Sequence, residues 1–275
     1  AAGFKPVPTG IDHGTVTIVA EGRPHEVTTF RRDVETDGRR AVVAFSDRIE
    51  EDAERRDFTM NALYADRQGE VIDPLDGLPD LLARRIRFVG DAETRIREDY
   101  LRILRFFRFH AAYGDPEGGL DPEGLAACAA LSAGLGTISR ERITAELKKL
   151  LSARDPAPTV AAMAQSGVLL HVLPGADPRA LAPLVHLDAA ESPRWLRRLV
   201  VLGGDTAGLR LSRSEARDLE ALRSALGSPE TLAALGWHLG EPLATDAILA
   251  RAASFGAPPP ANWQQETQRG AKARF

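Results

Sequence analysis

The stretch DAETRIREDYLRILRFFRFHAA, residues 91–112, carries arginines at Arg95, Arg97, Arg102, Arg105 and Arg108 and an acidic pair at Glu98 and Asp99. Each residue of a helix advances about 100°. Ile103, Leu104, Phe107 and Ala111 then fall on one side and Arg102, Arg105 and Arg108 on the other, with Asp99 one turn before Arg102. Guanidinium groups bind phosphate oxygens through paired N–H donors. A carboxylate next to a guanidinium can also read a base edge. Asp99 would accept from an exocyclic amino group while Arg102 donates to the adjacent ring nitrogen. Cytosine and adenine offer that order of groups, whereas uracil and guanine offer the reverse. A mismatched base leaves polar groups of the site unpaired and is rejected strongly. The pair therefore predicts selection of C and A, although a solvated basic helix face would use the same residues.

A second dense cluster is Arg55-Arg56-Asp57-Phe58-Thr59-Met60-Asn61-Ala62-Leu63. Its arginines suit phosphate. Asp57 can fix one of them or accept from a sugar hydroxyl, and Asn61 can order a loop. A helix end with a surface salt bridge is the competing reading.

The elements that must position these residues follow from pattern. HGTVTIVAEGRPHEVTTFRRD alternates over two runs around Glu21-Gly22-Arg23-Pro24, which predicts a β-hairpin, with Glu26, Thr28 and Phe30 on one strand face. Residues 31–41 read as a charged loop, and 46–63 as one helix capped by Ser46 or Asp47. Val71-Ile72 and Ile86–Val89 read as short strands, and Leu78–Leu82 as a helical turn. From about residue 91 the pattern is helical: 93–113, 121–132, 138–152, 156–166, 179–189, 192–203, 212–226, 229–239 and 243–254. Ser212-Arg213-Ser214-Glu215 fits a capping box, and Ser139 precedes another start. The composition shift near residue 90 marks a domain boundary.

The 275 residues suffice for about two domains, and 44% apolar content supports a core. The net charge of −4 gives no global basic field, so any nucleic-acid binding must be local. The single cysteine, Cys128, excludes an internal disulfide and a multi-cysteine metal site. No run of about 18 apolar residues and no signal peptide is visible, and a cytoplasmic protein with no membrane association and no protein partner is the expectation.

RRDFTMNALY at 55–64, IDPLDGLPDLLARRIRFVG at 72–90, REDYLRILRFFRF at 97–109 and SRERITAELKKLL at 139–151 occur in this order. Together they resemble the bacterial tRNA nucleotidyltransferases, the CCA-adding enzymes of the class shared with bacterial poly(A) polymerases. The resemblance is close over residues 1–155 and only one of character beyond. It implies an α+β chain: a partial nucleotidyltransferase head of the polymerase-β type at 1–90, a neck that recognises the base at 91–155, and a helical body that holds the tRNA acceptor end at 156–275. It implies that Arg56 contacts the nucleotide, that Asp99 and Arg102 act as an amino-acid template for the base, and that Arg105 and Arg108 line the same site. Asp57, Asn61 and Glu98 would support it. The implied reaction adds C, C and A to the tRNA 3′ end from CTP and ATP without a nucleic-acid template, releasing pyrophosphate.

One part of the family pattern does not match. A Gly-Gly/Arg-Asp motif and a strand with two aspartates one residue apart, which hold two Mg²⁺ ions, are not found; Asp12 stands alone between Gly10 and Gly14. The pattern places the missing motifs upstream of Ala1. The expectation is a chain cut at the N-terminus and at the C-terminus, inactive alone, with no metal site of its own. Glu26 is an accessory carboxylate candidate, or an ordinary strand residue. The related alternatives are a poly(A) polymerase or an enzyme adding only CC or only A; a non-catalytic RNA-binding module is an alternative of another class. Lys148, Lys149, Arg194, Arg197 and Arg198 are candidates for tRNA phosphates, equally readable as a solvated face. His13 reads as a turn residue, and His171, His186 and His238 show no metal spacing. Trp195 and Trp237 read as packed between helices.

Overall fold

The hairpin around Glu21-Gly22 is present. Glu21 and Gly22 have φ of 52° and 77°, the left-handed pair that a two-residue turn needs to match strand twist. In this computed structural model, which describes residues 4–10, 14–36, 41–188 and 193–273, β1 (Lys5–Gly10), β2 (Thr15–Ala20) and β3 (Arg23–Thr28) form an antiparallel sheet in that order. Residues 31–41 are not simply a loop. β4 (Arg31–Thr36) and β5 (Ala41–Phe45) pair antiparallel, because each strand satisfies the other's backbone. Positions 37–40 lie outside the described residues, as do Asp12 and His13.

The helix expected over 46–63 ends early. α1 (Ile49–Glu54) is followed by extended backbone at Phe58, φ −129° and ψ 148°, and a 3₁₀ turn at Thr59–Asn61. Arg48 is the N-cap residue of α1 and makes no side-chain cap bond; Ser46 instead accepts from the Arg48 N–H at 3.0 Å and donates to Glu51 at 2.7 Å. A distant segment takes the backbone of 57–59. Thr59 N–H donates to Arg87 O at 3.0 Å and Val89 N–H to Asp57 O at 3.1 Å, and the rings of Phe58 and Phe88 pack 5.1 Å apart, both buried. Residues 86–89 contribute only this isolated bridge, not a strand. β6 (Tyr64–Ala65) and β7 (Val71–Ile72) pair, and α2 (Leu78–Leu82) follows.

Asp80, fully buried on α2, ties this region together. It accepts from Thr59 Oγ1 at 2.6 Å and from the Nε atoms of Arg85 and Arg87, each at 2.8 Å. Burial would raise its carboxyl, but these donors outweigh it and hold it below the usual range. Asp73 accepts from the Gly77 and Leu78 N–H groups at 2.8 Å each. Gly77 allows the start of α2 to lie against the 3₁₀ turn: a Cβ there would sit 2.2 Å from Thr59 O. α3 (Ala92–Glu98) closes the first of two compact units, Ala1–Asp99 and Tyr100–Phe275.

Among the described residues the second unit is helical apart from one isolated bridge, Ala176 with Gly203. Its helices are α4 (Leu101–Tyr113), α5 (Pro122–Ala130), α6 (Arg140–Leu151), α7 (Ala157–Gln165), α8 (Val168–Val172), α9 (Leu181–Leu187), α10 (Trp195–Leu202), α11 (Arg213–Gly227), α12 (Leu232–Leu239), α13 (Glu241–Phe255) and α14 (Trp263–Lys272). The fold class is α+β, as the residue pattern predicts. Sequence reading missed α8 and α14: the first is only 5 residues and the second is mostly polar. Ser139 caps α6, and the Ser212–Glu215 capping box is formed. Cys128 is buried in α5. Trp237, expected between helices, is 48% exposed, with its ring on His238 at 4.7 Å.

The arginines of α10 are not phosphate ligands. Arg197 and Arg198 are each 1% exposed. Arg197 donates to Asp246 at 2.8 Å and to Asp188 at 3.4 Å. Arg198 donates to the carbonyls of Leu151, Ala153 and Arg154 at the end of α6, neutralising orphan C-terminal acceptors. Arg194 pairs with Asp246 at 3.0 Å. Lys148 pairs with Glu215 at 2.6 Å and lies over the Trp195 ring, and Lys149 lies 3.5 Å from Glu146.

Gly77→Ala should lower stability by about 1–3 kcal/mol, since backbone rather than a flexible side chain opposes the added methyl. Gly227→Ala, where a Cβ meets nothing within 4 Å, should be neutral or stabilise by up to about 1 kcal/mol. Thermal or denaturant unfolding of both variants checks the pair; equal midpoints would contradict the packing described.

Candidate functional site

In the first unit the site is built on α1. The sequence EEDAERR places Arg55 and Arg56 three and four residues after Asp52, at the end of α1, where both can reach it. Asp52 is 2% exposed, and a buried carboxylate requires partners. It has four: Arg55 Nε at 2.8 Å, Arg56 Nη2 at 2.7 Å, the Tyr64 hydroxyl at 2.8 Å and the Arg31 N–H at 3.2 Å. Burial would raise its carboxyl; the Tyr64, Arg56 and Arg55 donors outweigh that and bring it down to about 2. Burial and the adjacent Asp52 push the Tyr64 phenol up to about 12. Arg56 also lies over the Tyr64 ring, 5.8 Å from its centroid, and Phe30 packs edge-on against that ring at 5.8 Å. The Arg56 side chain stays 40% exposed. It is a held guanidinium with an open side.

Arg95 secures the same segment from α3. Its Nη2 donates to the carbonyls of Arg55 and Arg56 at 2.8 and 2.9 Å, and its Nη1 to Glu98 at 2.5 Å. Arg95 is therefore a clamp on the end of α1 and not part of an open basic row, and Arg97 pairs with Glu93 at 2.8 Å. Glu98, a supporting candidate, fixes the clamp. Asn61 accepts from the Phe58 N–H at 3.1 Å and so orders the turn. Asp57 contributes its carbonyl to Val89. Glu26 lies on β3, a strand exposed throughout, opposite Thr17.

The single helix expected over 93–113 is two helices. Asp99 terminates α3 in extended backbone, φ −155° and ψ 103°, and Tyr100 starts α4. Arg102 sits in the first turn of α4 and is 8% exposed, which does not fit the alternative of a solvated basic face at this position. Ile103, Leu104, Phe106 and Phe107 of the same helix are buried. Arg105 and Arg108 are half-buried. Arg108 donates from Nε to Glu146 of α6 at 2.5 Å and lies over the Phe109 ring. Glu146 is 5% exposed. Sequence reading missed Asp52, Tyr64 and Glu146 as holders of these arginines. For Asp52 the three- and four-residue spacing to Arg55 and Arg56 was a usable signal; for Tyr64 and Glu146 no local one exists. Among the described residues no group of three or more His, Cys, Asp or Glu side chains could hold a metal. No described helix is long and apolar enough to cross a membrane.

Because the folded Asp52 carboxyl is depressed from 3.8, its pairing stabilises the protein fully above the unfolded value and is lost as pH falls toward about 2. Asp52→Asn should therefore cost about 3 kcal/mol at neutral pH and flatten the stability profile between pH 4 and pH 2. Unfolding midpoints across that range check this; an unchanged acid limb would contradict it.

A family model for the poly A polymerase head domain matches residues 4–87, and one for the probable RNA and SrmB-binding site of polymerase A matches 119–179. The mitochondrial CCA tRNA nucleotidyltransferase 1 of Homo sapiens is 49% identical over 142 residues, 52% of this chain and 33% of that protein. The CCA-adding enzyme of Geobacillus thermodenitrificans is 36% identical over 265 residues, 95% of this chain and 60% of that protein. The chain thus spans from a third to three-fifths of these relatives. The crystal structure of the Bacillus stearothermophilus CCA-adding enzyme in complex with CTP aligns with a TM-score of 0.77 at 32% identity, covering 98% of this chain and 69% of that one. By sequence over nearly its whole length and by fold, the chain belongs to the family of CCA-adding enzymes and poly(A) polymerases.

Proposed function

We propose that the protein to which this chain belongs adds C, C and A to the 3′ end of tRNA from CTP and ATP, selecting the bases with its own side chains. The observation that carries the reading is the break at Asp99–Tyr100. It ends one helix in extended backbone at a carboxylate and begins another whose first turn buries a guanidinium. Asp99 accepts from the amino group of cytosine or adenine, and Arg102 donates to the neighbouring ring nitrogen. Burial of Arg102 strengthens discrimination, because an unmatched buried donor costs more than a solvated one.

Arg56 holds the nucleotide irrespective of base, and Arg105 and Arg108 line the site behind Arg102. Asp57, Asn61 and Glu98 support that machinery through the turn and the clamp they build. The tRNA 3′-hydroxyl attacks the α-phosphorus, the bond to the β-phosphate oxygen breaks, and pyrophosphate leaves. Such a transfer depends on positioning and on charge stabilisation, which preset guanidiniums supply. Mg²⁺ belongs to this chemistry in the family; among the described residues no group of three or more His, Cys, Asp or Glu could hold it. The tRNA acceptor end is the partner, held by the helical unit.

In the intact protein, Asp99→Ala and Arg102→Ala should each reduce the preference for CTP and ATP over UTP and GTP by about tenfold or more. Arg56→Ala should weaken all four nucleotides alike. Incorporation kinetics on tRNA lacking its terminal C, C and A measures this. Full selectivity in both base-reading variants would place recognition elsewhere, and a long A tail without C would mean a poly(A) polymerase.

A further inference from the structure

We infer that Gly134 is a positioning residue for base selection, acting through the Tyr100 ring on the first turn of α4. The inference rests on Arg102 reading the base, as proposed above. Gly134 lies in the 3₁₀ segment Ser132–Thr137. A Cβ built on it would fall 2.0 Å from Tyr100 Cδ1, 2.1 Å from Cε1 and 2.5 Å from Cγ. The tyrosine ring therefore lies directly on the bare Cα of this glycine. Gly134 is not among the glycines with positive φ, so its backbone would accept alanine; the three atoms nearest an added side chain all belong to the ring.

Both sides of this contact are anchored. Gly134 N–H donates to Leu131 O at 3.0 Å, Thr137 Oγ1 donates to Gly134 O at 2.8 Å, and the neighbouring Leu135 is fully buried. Tyr100 is the residue that starts α4, and its carbonyl accepts from Ile103 N–H at 3.2 Å. Carbon atoms in ordinary contact stand about 3.5–4.0 Å apart, so a methyl at Gly134 must drive the ring away by about 1.5 Å. The clash includes Cγ, next to the backbone, so swinging the far end of the ring does not relieve it and the start of α4 must shift. Arg102 is two residues on and buried. Recognition groups must be held to about 0.5 Å, and a misplacement of about 1 Å costs up to about 100-fold in rate. Gly136, in the same 3₁₀ segment, has nothing within 4 Å of a built Cβ and provides an internal control.

The test uses the intact protein and the ratio of kcat/KM for CTP to that for UTP on tRNA lacking its terminal residues. Gly134→Ala should lower that ratio at least tenfold, while Gly136→Ala leaves it unchanged. Tyr100→Ala, which removes the seated ring, should also lower it, and Tyr100→Phe, which keeps the ring, should not. Adding Gly134→Ala to Tyr100→Ala should produce no further loss. Wild-type discrimination in Gly134→Ala, or an equal added loss without the ring, overturns the inference. Should Gly134→Ala not fold, retained discrimination in Tyr100→Ala overturns it instead. Arg102→Ala is measured in parallel: if it keeps full discrimination, the base-reading role itself falls, whereas a loss there with none in Gly134→Ala condemns the Gly134 inference alone.

Discussion

A carboxylate removed from water must be paired, and in the first unit the pairing of Asp52 sets the terms for everything around Arg56. Its four donors come from β4, from the two residues just after α1 and from β6. One side chain therefore fixes where three elements meet and which way Arg56 points. The Tyr64, Arg56 and Arg55 donors depress the acid against its burial, while burial and the hydrogen bond to Asp52 raise the phenol. A guanidinium held in this way loses little freedom when a ligand arrives, which is the physical content of preorganisation.

The same device recurs. Asp80 gathers Thr59, Arg85 and Arg87 under the turn that follows Arg56. Asp188 and Asp246 take Arg197 into the helical core, and Glu146 takes Arg108. Buried ion pairs are weak evidence for net stability, yet breaking one leaves an uncompensated charge. Many of this chain's arginines are spent as internal struts. A count of basic residues therefore overstates the surface open to phosphate, and the arginines open to a polyanion must be found one by one.

Close backbone approach is the second constraint. Gly77 lets α2 start against the Thr59 carbonyl, and Gly236 and Gly270 let α12 and α14 pack backbone to backbone, each within 2.1 Å of a carbonyl oxygen if given a Cβ. At each place a tolerance of tenths of an ångström passes to the elements on both sides, because packed interiors do not deform continuously. Gly134 is similarly tight, but against the Tyr100 ring rather than backbone, so the start of α4 is the element that would move.

The order and spacing of motifs, the hairpin, the capping box and the helical character of the second unit were legible in the sequence, because each depends on neighbours within a few residues. Chain-local periodicity could not show that 57–59 would leave the helix, since its partner, Arg87, lies 28 residues from Thr59. Nor could it show that Arg198 would serve carbonyls 44–47 residues away, or that Arg108 would find Glu146 38 residues on. A helical wheel put Arg102 opposite the apolar residues but could not show that it would be buried. Local spacing determined which residues could do the chemistry, and tertiary pairing alone decided which of them are held, which are buried and which face outward, because a guanidinium cannot enter a protein core without an acceptor from elsewhere in the chain.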